Sequence, residues 1–208
     1  MKSLMKQAHW QNDSQRDYEH AERCYANEEF SPDDLIDHVF MGCTFQSCSF
    51  RDCDLTQVVF RDCTLRSCDW TLCRVDGCFL DDVLFTDCRI AGVNFMDCNR
   101  FGFRPQFQRC LMNNVVFASQ NLKKFSFEGS SLKDCDFNDC DLQESVFQHC
   151  KFHEVEFHQC DLRKADFRWA EGYRISPEGN RLAQARFHLP EAESFLGFLG
   201  IDVSYAQD

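Results

Sequence analysis

Fifteen cysteines, a His153-Glu154 pair followed by His158, and a scatter of aspartates are the residues of this 208-residue chain whose types could do chemistry. Thiols at such density could bind metal, pair as disulfides or act as nucleophiles once ionised. Their spacing argues otherwise. Cys43, Cys48, Cys53, Cys63, Cys68, Cys73, Cys78 and Cys88 fall at steps of five or a multiple of five, not in the Cys-x-x-Cys pairs of a structural zinc site. His153 to His158 is one residue too long for the His-Glu-x-x-His zinc motif. There is no Gly-x-Ser-x-Gly elbow, phosphate-cradling glycine loop or dinucleotide fingerprint. The expectation is a chain with no catalytic residues, no cofactor and no metal, hence not an enzyme.

The elements that position these residues follow from one period. A large apolar residue recurs every five positions through Leu35, Phe40, Phe45, Phe50, Leu55, Phe60, Leu65, Trp70, Val75, Leu80, Phe85, Ile90 and Phe95, and again from Phe107 to Phe167. Five matches neither the 3.6 of a helix nor the 2.0 of a strand, so the chain must turn once per unit. Two residues before each large one sits a small one, usually Cys or Val, and positions two apart on an extended segment face the same way. Both therefore point inward, and Cys98 with thirteen other cysteines falls in this small slot, leaving only Cys24 outside. By phase His153 and His158 point outward. Fixed-period self-similarity signals a repeat architecture whose core is filled by columns of like residues. Each inward Phe or Leu contributes roughly 1.5–3 kcal/mol if fully buried, before chain entropy is subtracted. Columns such as Phe117, Phe137, Phe157 and Phe127, Phe147, Phe167 suit a four-sided coil, but they also fit a lag of ten.

Stacked pairs such as Cys43 and Cys63 come near disulfide distance in a twenty-residue coil, yet a reduced core is the simpler reading. So many inward thiols point to a reducing compartment, and no secretory or membrane-spanning apolar run is present, which together imply a cytoplasmic protein with no membrane partner.

The period is interrupted once. Phe95 to Phe107 is twelve residues, two more than two units, and Gly102 and Pro105 supply the backbone chemistry for a bulge, kink or small loop over 99–106. Arg100, Phe101, Gly102, Phe103, Arg104 and Pro105 are either a tolerated irregularity or a feature that shapes partner binding. Residues 1–29 form a lead-in that ends as a partial coil, and 30–189 the solenoid, although the period dissolves after Phe167. Over 190–208 the signal is helical: Pro190 suits the first position, Gly200 the position after the end, and Ala192, Phe195, Leu196 and Leu199 one face of a helix near ten residues. A helix so short must dock. It caps the last coil, or it forms a two-fold dimer through Leu189, Ala192, Phe195, Leu196, Leu199, Ile201 and Val203, and both can hold together.

Thirty-four acids against twenty-two bases give a net charge of −12, the wrong sign for binding nucleic acid and the right one for a basic partner. Between Phe30 and Phe107 there are twelve acids to seven bases, and over 108–168 ten to eight. Asp62 and Asp82 would stack on one face of a four-sided coil, with Asp81 beside them and Asp87 and Asp97 near. An ordinary solvated acidic surface explains the same residues.

Segments such as Cys43-Thr-Phe-Gln-Ser, Cys53-Asp-Leu-Thr-Gln, Cys140-Asp-Leu-Gln-Glu and Ala165-Asp-Phe-Arg-Trp resemble the pentapeptide repeat over about two thirds of the chain. The resemblance implies an all-β solenoid, a right-handed quadrilateral β-helix, here with a short C-terminal α-helix. Gly172-Tyr-Arg-Ile-Ser-Pro-Glu-Gly-Asn-Arg-Leu, Ala185-Arg-Phe-His-Leu-Pro-Glu-Ala192 and Leu199-Gly-Ile-Asp-Val203 are similar to the end of the topoisomerase-protecting branch, the Qnr and albicidin-resistance group. That resemblance implies a tail-to-tail homodimer and a DNA mimic that binds DNA gyrase or topoisomerase IV and protects it from poisons such as quinolones or albicidin. Asp62, Asp81, Asp82, Asp87 and Asp97 would then be its partner-binding acids. Unlike plasmid Qnr proteins, no long insertion interrupts Leu35 to Phe95. A repeat scaffold with a different partner is the alternative.

Overall fold

The structure, a computed structural model, describes residues 19–201. They form a parallel β-solenoid of about seven turns with one short C-terminal helix, the quadrilateral β-helix expected. Three-residue strands pair in parallel one coil apart, placing Phe40 beside Phe60, Phe45 beside Leu65, Trp70 beside Ile90 and Phe137 beside Phe157. The lag is twenty residues, which excludes the ten-residue alternative. The ring geometry shows why the coil is square. Along a column Phe117, Phe137 and Phe157 stack at centroid distances of 4.9 Å, close to the spacing of hydrogen-bonded strands. Rings on adjacent sides meet edge to face, at 88° for Phe117 and Phe127 and 89° for Phe137 and Phe147. Both are favourable aromatic arrangements.

Each corner is made two residues after the large one, where the backbone enters the left-handed region: φ is +58° at Asp52, +54° at Asp62, +52° at Asp82 and +52° at Asp139. Among residues with a side chain, Asn and Asp tolerate that conformation best. Many of the surface acids are thus corner residues, placed by backbone geometry before any partner is considered.

The solenoid extends past both ends of the clear period. Strands Glu19–Ala21 and Cys24–Ala26 already form two sides of a coil, with His20 in a large inward position, stacked 4.6 Å from Phe40. Residues 1–18 of the expected lead-in lie outside the described residues. Beyond Phe167, backbone bonds from Leu162 N to Arg181 O and from Phe167 N to Arg186 O build another coil, and Phe187 stacks on Phe167 at 5.3 Å. The sequence loses its period there because the large position 172 is Gly and Tyr173 fills the interior one residue out of phase, while Ile175 occupies the small slot.

The break is absorbed without leaving the solenoid. Two 3-10 turns, Phe95–Asp97 and Arg100–Gly102, lead into a strand Phe103–Gln108 that pairs with Phe79–Thr86. Asn99 N still bonds to Cys78 O in the ordinary register, but Phe103 lies opposite Leu80 and Phe107 opposite Phe85, so the extra residues enter between Asn99 and Phe103, with a further register shift between Phe103 and Pro105.

Candidate functional site

Fourteen cysteines are buried and Cys24 is exposed. They do more than fill space. Cys63 Sγ donates to Phe40 O at 3.4 Å, Cys150 to Phe127 O at 2.9 Å and Cys160 to Phe137 O at 3.3 Å, each reaching a carbonyl of the preceding coil. Where the slot is polar the pattern persists: Ser145 Oγ donates to Leu122 O at 2.7 Å and Gln120 Nε2 to Phe95 O at 2.8 Å. Burial pushes the Cys63 and Cys150 thiols up to about 12, so neither supplies a thiolate near neutral pH. His153 and His158 are exposed, and His158 Nε2 lies 2.9 Å from Glu156 Oε2. No group of three or more His, Cys, Asp or Glu among the described residues is placed to hold a metal ion.

The acidic residues singled out do gather, but with arginines among them. Asp62 and Asp82 occupy the same corner of successive coils, and Asp62 N bonds to Asp81 O at 2.9 Å. Asp81 lies between Arg61, at 3.2 Å, and Arg104, at 2.5 Å, and Arg104 also reaches Asp82 at 3.0 Å. Asp87 is bound by both Nε and Nη2 of Arg109. Partial burial would raise the Asp81 carboxyl, but Arg104 and Arg61 overcome it and hold it below the usual carboxylate range; the Arg109 hydrogen bond does the same for Asp87. Asp97 is separate from this cluster in the 3-10 turn, held by Asn94 at 2.9 Å. Among the described residues Asp62 has no salt-bridge partner. The acidic surface expected here is therefore partly neutralised by Arg61, Arg104 and Arg109, which the linear charge count could not locate because their partners are twenty or more residues away.

Of the residues in the break, Gly102, Phe103 and Pro105 are core, while Arg100, Phe101 and Arg104 are exposed. A projecting loop is not what forms. Gly102 is required by close approach: a Cβ there would lie 2.4 Å from Phe79 Cδ1. Phe103 stacks near Phe125, 6.1 Å away, and Phe125 sits in a slot the period reserves for small residues. That oversized side chain is the sequence signal for the extra volume of the break. Phe101, by contrast, is fully exposed.

At the C-terminus the helix is shorter than expected. A 3-10 turn Glu191–Glu193 runs into an α-helix of only five residues, Ser194–Phe198, with Gly197 in its last turn. Phe195 packs 4.7 Å from Phe187 and 6.3 Å from Tyr173, so it caps the core. Ala192 and Leu196 are half-buried, while Leu189, Leu199 and Ile201 are exposed with Phe198, which the helical-face argument missed. Val203 lies outside the described residues.

The family model described as "Pentapeptide repeat region" matches residues 38–111 and 103–187. No match was found among curated proteins. Among solved structures the chain is similar to a trypsin-treated variant of QnrB1, a plasmid-mediated fluoroquinolone resistance protein, at 17% identity and a TM-score of 0.44, covering 89% of this chain and 100% of that one. Full-length QnrB1 gives 16% identity and a TM-score of 0.41, with 88% and 100% covered. HetL, a pentapeptide repeat protein from the cyanobacterium Nostoc sp. strain PCC 7120 involved in heterocyst differentiation regulation, gives 11% and 0.35, with 83% and 87% covered. The family match spans the coils in which each unit turns at a left-handed corner and sends a small and a large side chain inward, and the chain belongs to the pentapeptide repeat proteins.

Proposed function

We propose that this chain is a non-catalytic, DNA-mimicking interaction protein of the cytoplasm that binds DNA gyrase or topoisomerase IV as a homodimer and protects it from topoisomerase poisons. The observation that carries the reading is the end of the rod. Phe195 closes the core, while Leu189, Phe198, Leu199 and Ile201, on and flanking the short helix, leave apolar side chains 47–71% exposed. A second copy is the partner that covers such a patch while keeping a two-fold axis. The sequence of this tail resembles that of the topoisomerase-protecting branch. Two acidic rods joined end to end form an elongated anion suited to the basic surface on which a topoisomerase holds DNA.

Arg61, Arg104 and Arg109 favour the second reading, a repeat scaffold with another partner, because they remove much of the free charge around Asp81, Asp82 and Asp87. A supercoiling assay separates the two. The first reading predicts inhibition by the protein alone and rescue of activity from a quinolone or from albicidin; no effect at micromolar protein leaves the scaffold reading.

A further inference from the structure

The break builds a surface whose charge is opposite to that of the rod. Arg100, Phe101, Arg104, Lys123 and Lys124 border a groove of about 400 Å³, with the side chains of Phe103 and Phe125 at its base. Arg104 is committed to Asp81 and Asp82, and Lys124 lies 3.8 Å from Glu144. Arg100 and Lys123 have no salt-bridge partner among the described residues. Phe101, beside Arg100, is 100% exposed, although an internal 3-10 turn fixes its backbone through the bond from its N–H to Asn99 Oδ1 at 3.0 Å. An aromatic ring held in solvent between unneutralised cations has the composition of a binding hot spot.

We propose that this groove binds an acidic peptide segment that carries an aromatic or aliphatic residue, its carboxylates meeting Arg100 and Lys123 and its apolar side chain meeting Phe101. A nucleic acid is the less suitable occupant. Its phosphates need an extended basic track, whereas this groove offers two unpaired cations, Arg100 and Lys123, and Asp62, Asp81 and Asp82 lie just beyond Arg104 on a chain of net charge −12. A short acidic segment meets the cations without running onto those carboxylates. The proposal does not rest on the topoisomerase reading, and a negative supercoiling assay leaves it standing.

The test is fluorescence anisotropy of the full chain at low ionic strength with a labelled glutamate-rich peptide containing one phenylalanine. The same peptide with serine at that position and an oligothymidylate are compared. The phenylalanine peptide should bind best. Reversing Arg100→Glu and Lys123→Glu together should weaken it by about tenfold or more. Phe101→Ser should weaken it by about tenfold and reduce its advantage over the serine peptide. All three side chains are exposed, and unchanged circular dichroism and melting would show intact folding. No binding, tighter binding of the oligothymidylate, or unaltered affinity in the charge-reversed variant would overturn the proposal.

Discussion

The coils after the break and those before it obey the same period with different core contents. After the break Phe127 and Phe147 stack at 4.9 Å with planes 5° apart, as do Phe137 and Phe157. Before it Phe40 and Phe60 stack within 13°, but Phe50 meets Trp70 at 49° and the next side chain in that column is Ile90. The backbone register is equally regular in both. Size at the inward position and tolerance of a left-handed corner are therefore what the fold demands, while ring stacking is an added source of stability that only some columns use. The surfaces share one pattern of pairing: Arg61 reaches across coils to Asp81 and Arg74 binds Asp76 two residues on before the break, and after it Arg181 reaches across to Asp161 while Arg163 binds the same carboxylate from two residues on.

Core truncation tests this contrast most severely. Phe137→Ala, which empties the middle of a stacked column, should cost about 3–5 kcal/mol in denaturant unfolding, and Leu65→Ala, in a mixed column, should fall toward the lower end of about 2–5 kcal/mol. Equal losses would show that column stacking adds nothing beyond size. Gly102→Ala probes the boundary between the two regions. Its new methyl group must displace the Phe79 ring, so a loss of about 1–3 kcal/mol is expected, and a neutral outcome would mean that the ring yields freely.

Two carboxylates in the later coils should respond to pH with opposite sign. The Arg163 hydrogen bond, with help from Arg181, holds Asp161 below the usual range despite partial burial. Its contribution, about 0.5–1 kcal/mol, is present above the unfolded carboxylate pKa of about 4 and is lost as pH falls through the lower folded value. Asp136 is raised by burial, and its Oδ1 is buried with no hydrogen-bond partner. It therefore detracts from stability at neutral pH, and the penalty fades as pH falls through its raised folded pKa. Melting curves across pH should show Asp161→Asn less stable at pH 7, with the difference shrinking in acid. Asp136→Asn should be slightly more stable at pH 7 and should lose that advantage in acid.

The solenoid was legible in the sequence because a single unit carries its own geometry: Cys135, Phe137 and Asp139 specify the small inward residue, the large inward residue and the corner. The same locality explains what was missed. His20 fills a hydrophobic column because it stacks on Phe40 and its Nδ1 shares a hydrogen bond with Tyr25 Oη at 2.9 Å, which no polarity scale anticipates. Arg104 finds Asp81 only after the two-residue slip sets the register of its strand. Phe195 and Phe198 share one short helix yet part into cap and exposed surface because the last coil decides which of them has a neighbour.

The function proposed above has this acidic rod with an apolar tail occupy the DNA site of a type II topoisomerase. The most direct measurement is competition between the full chain and labelled duplex DNA for DNA gyrase, followed by anisotropy. Displacement of the DNA at micromolar protein is expected, as is its loss on reversing Asp62, Asp81 and Asp82 to Lys. DNA that stays bound at those concentrations, or displacement unchanged by the reversal, would contradict it.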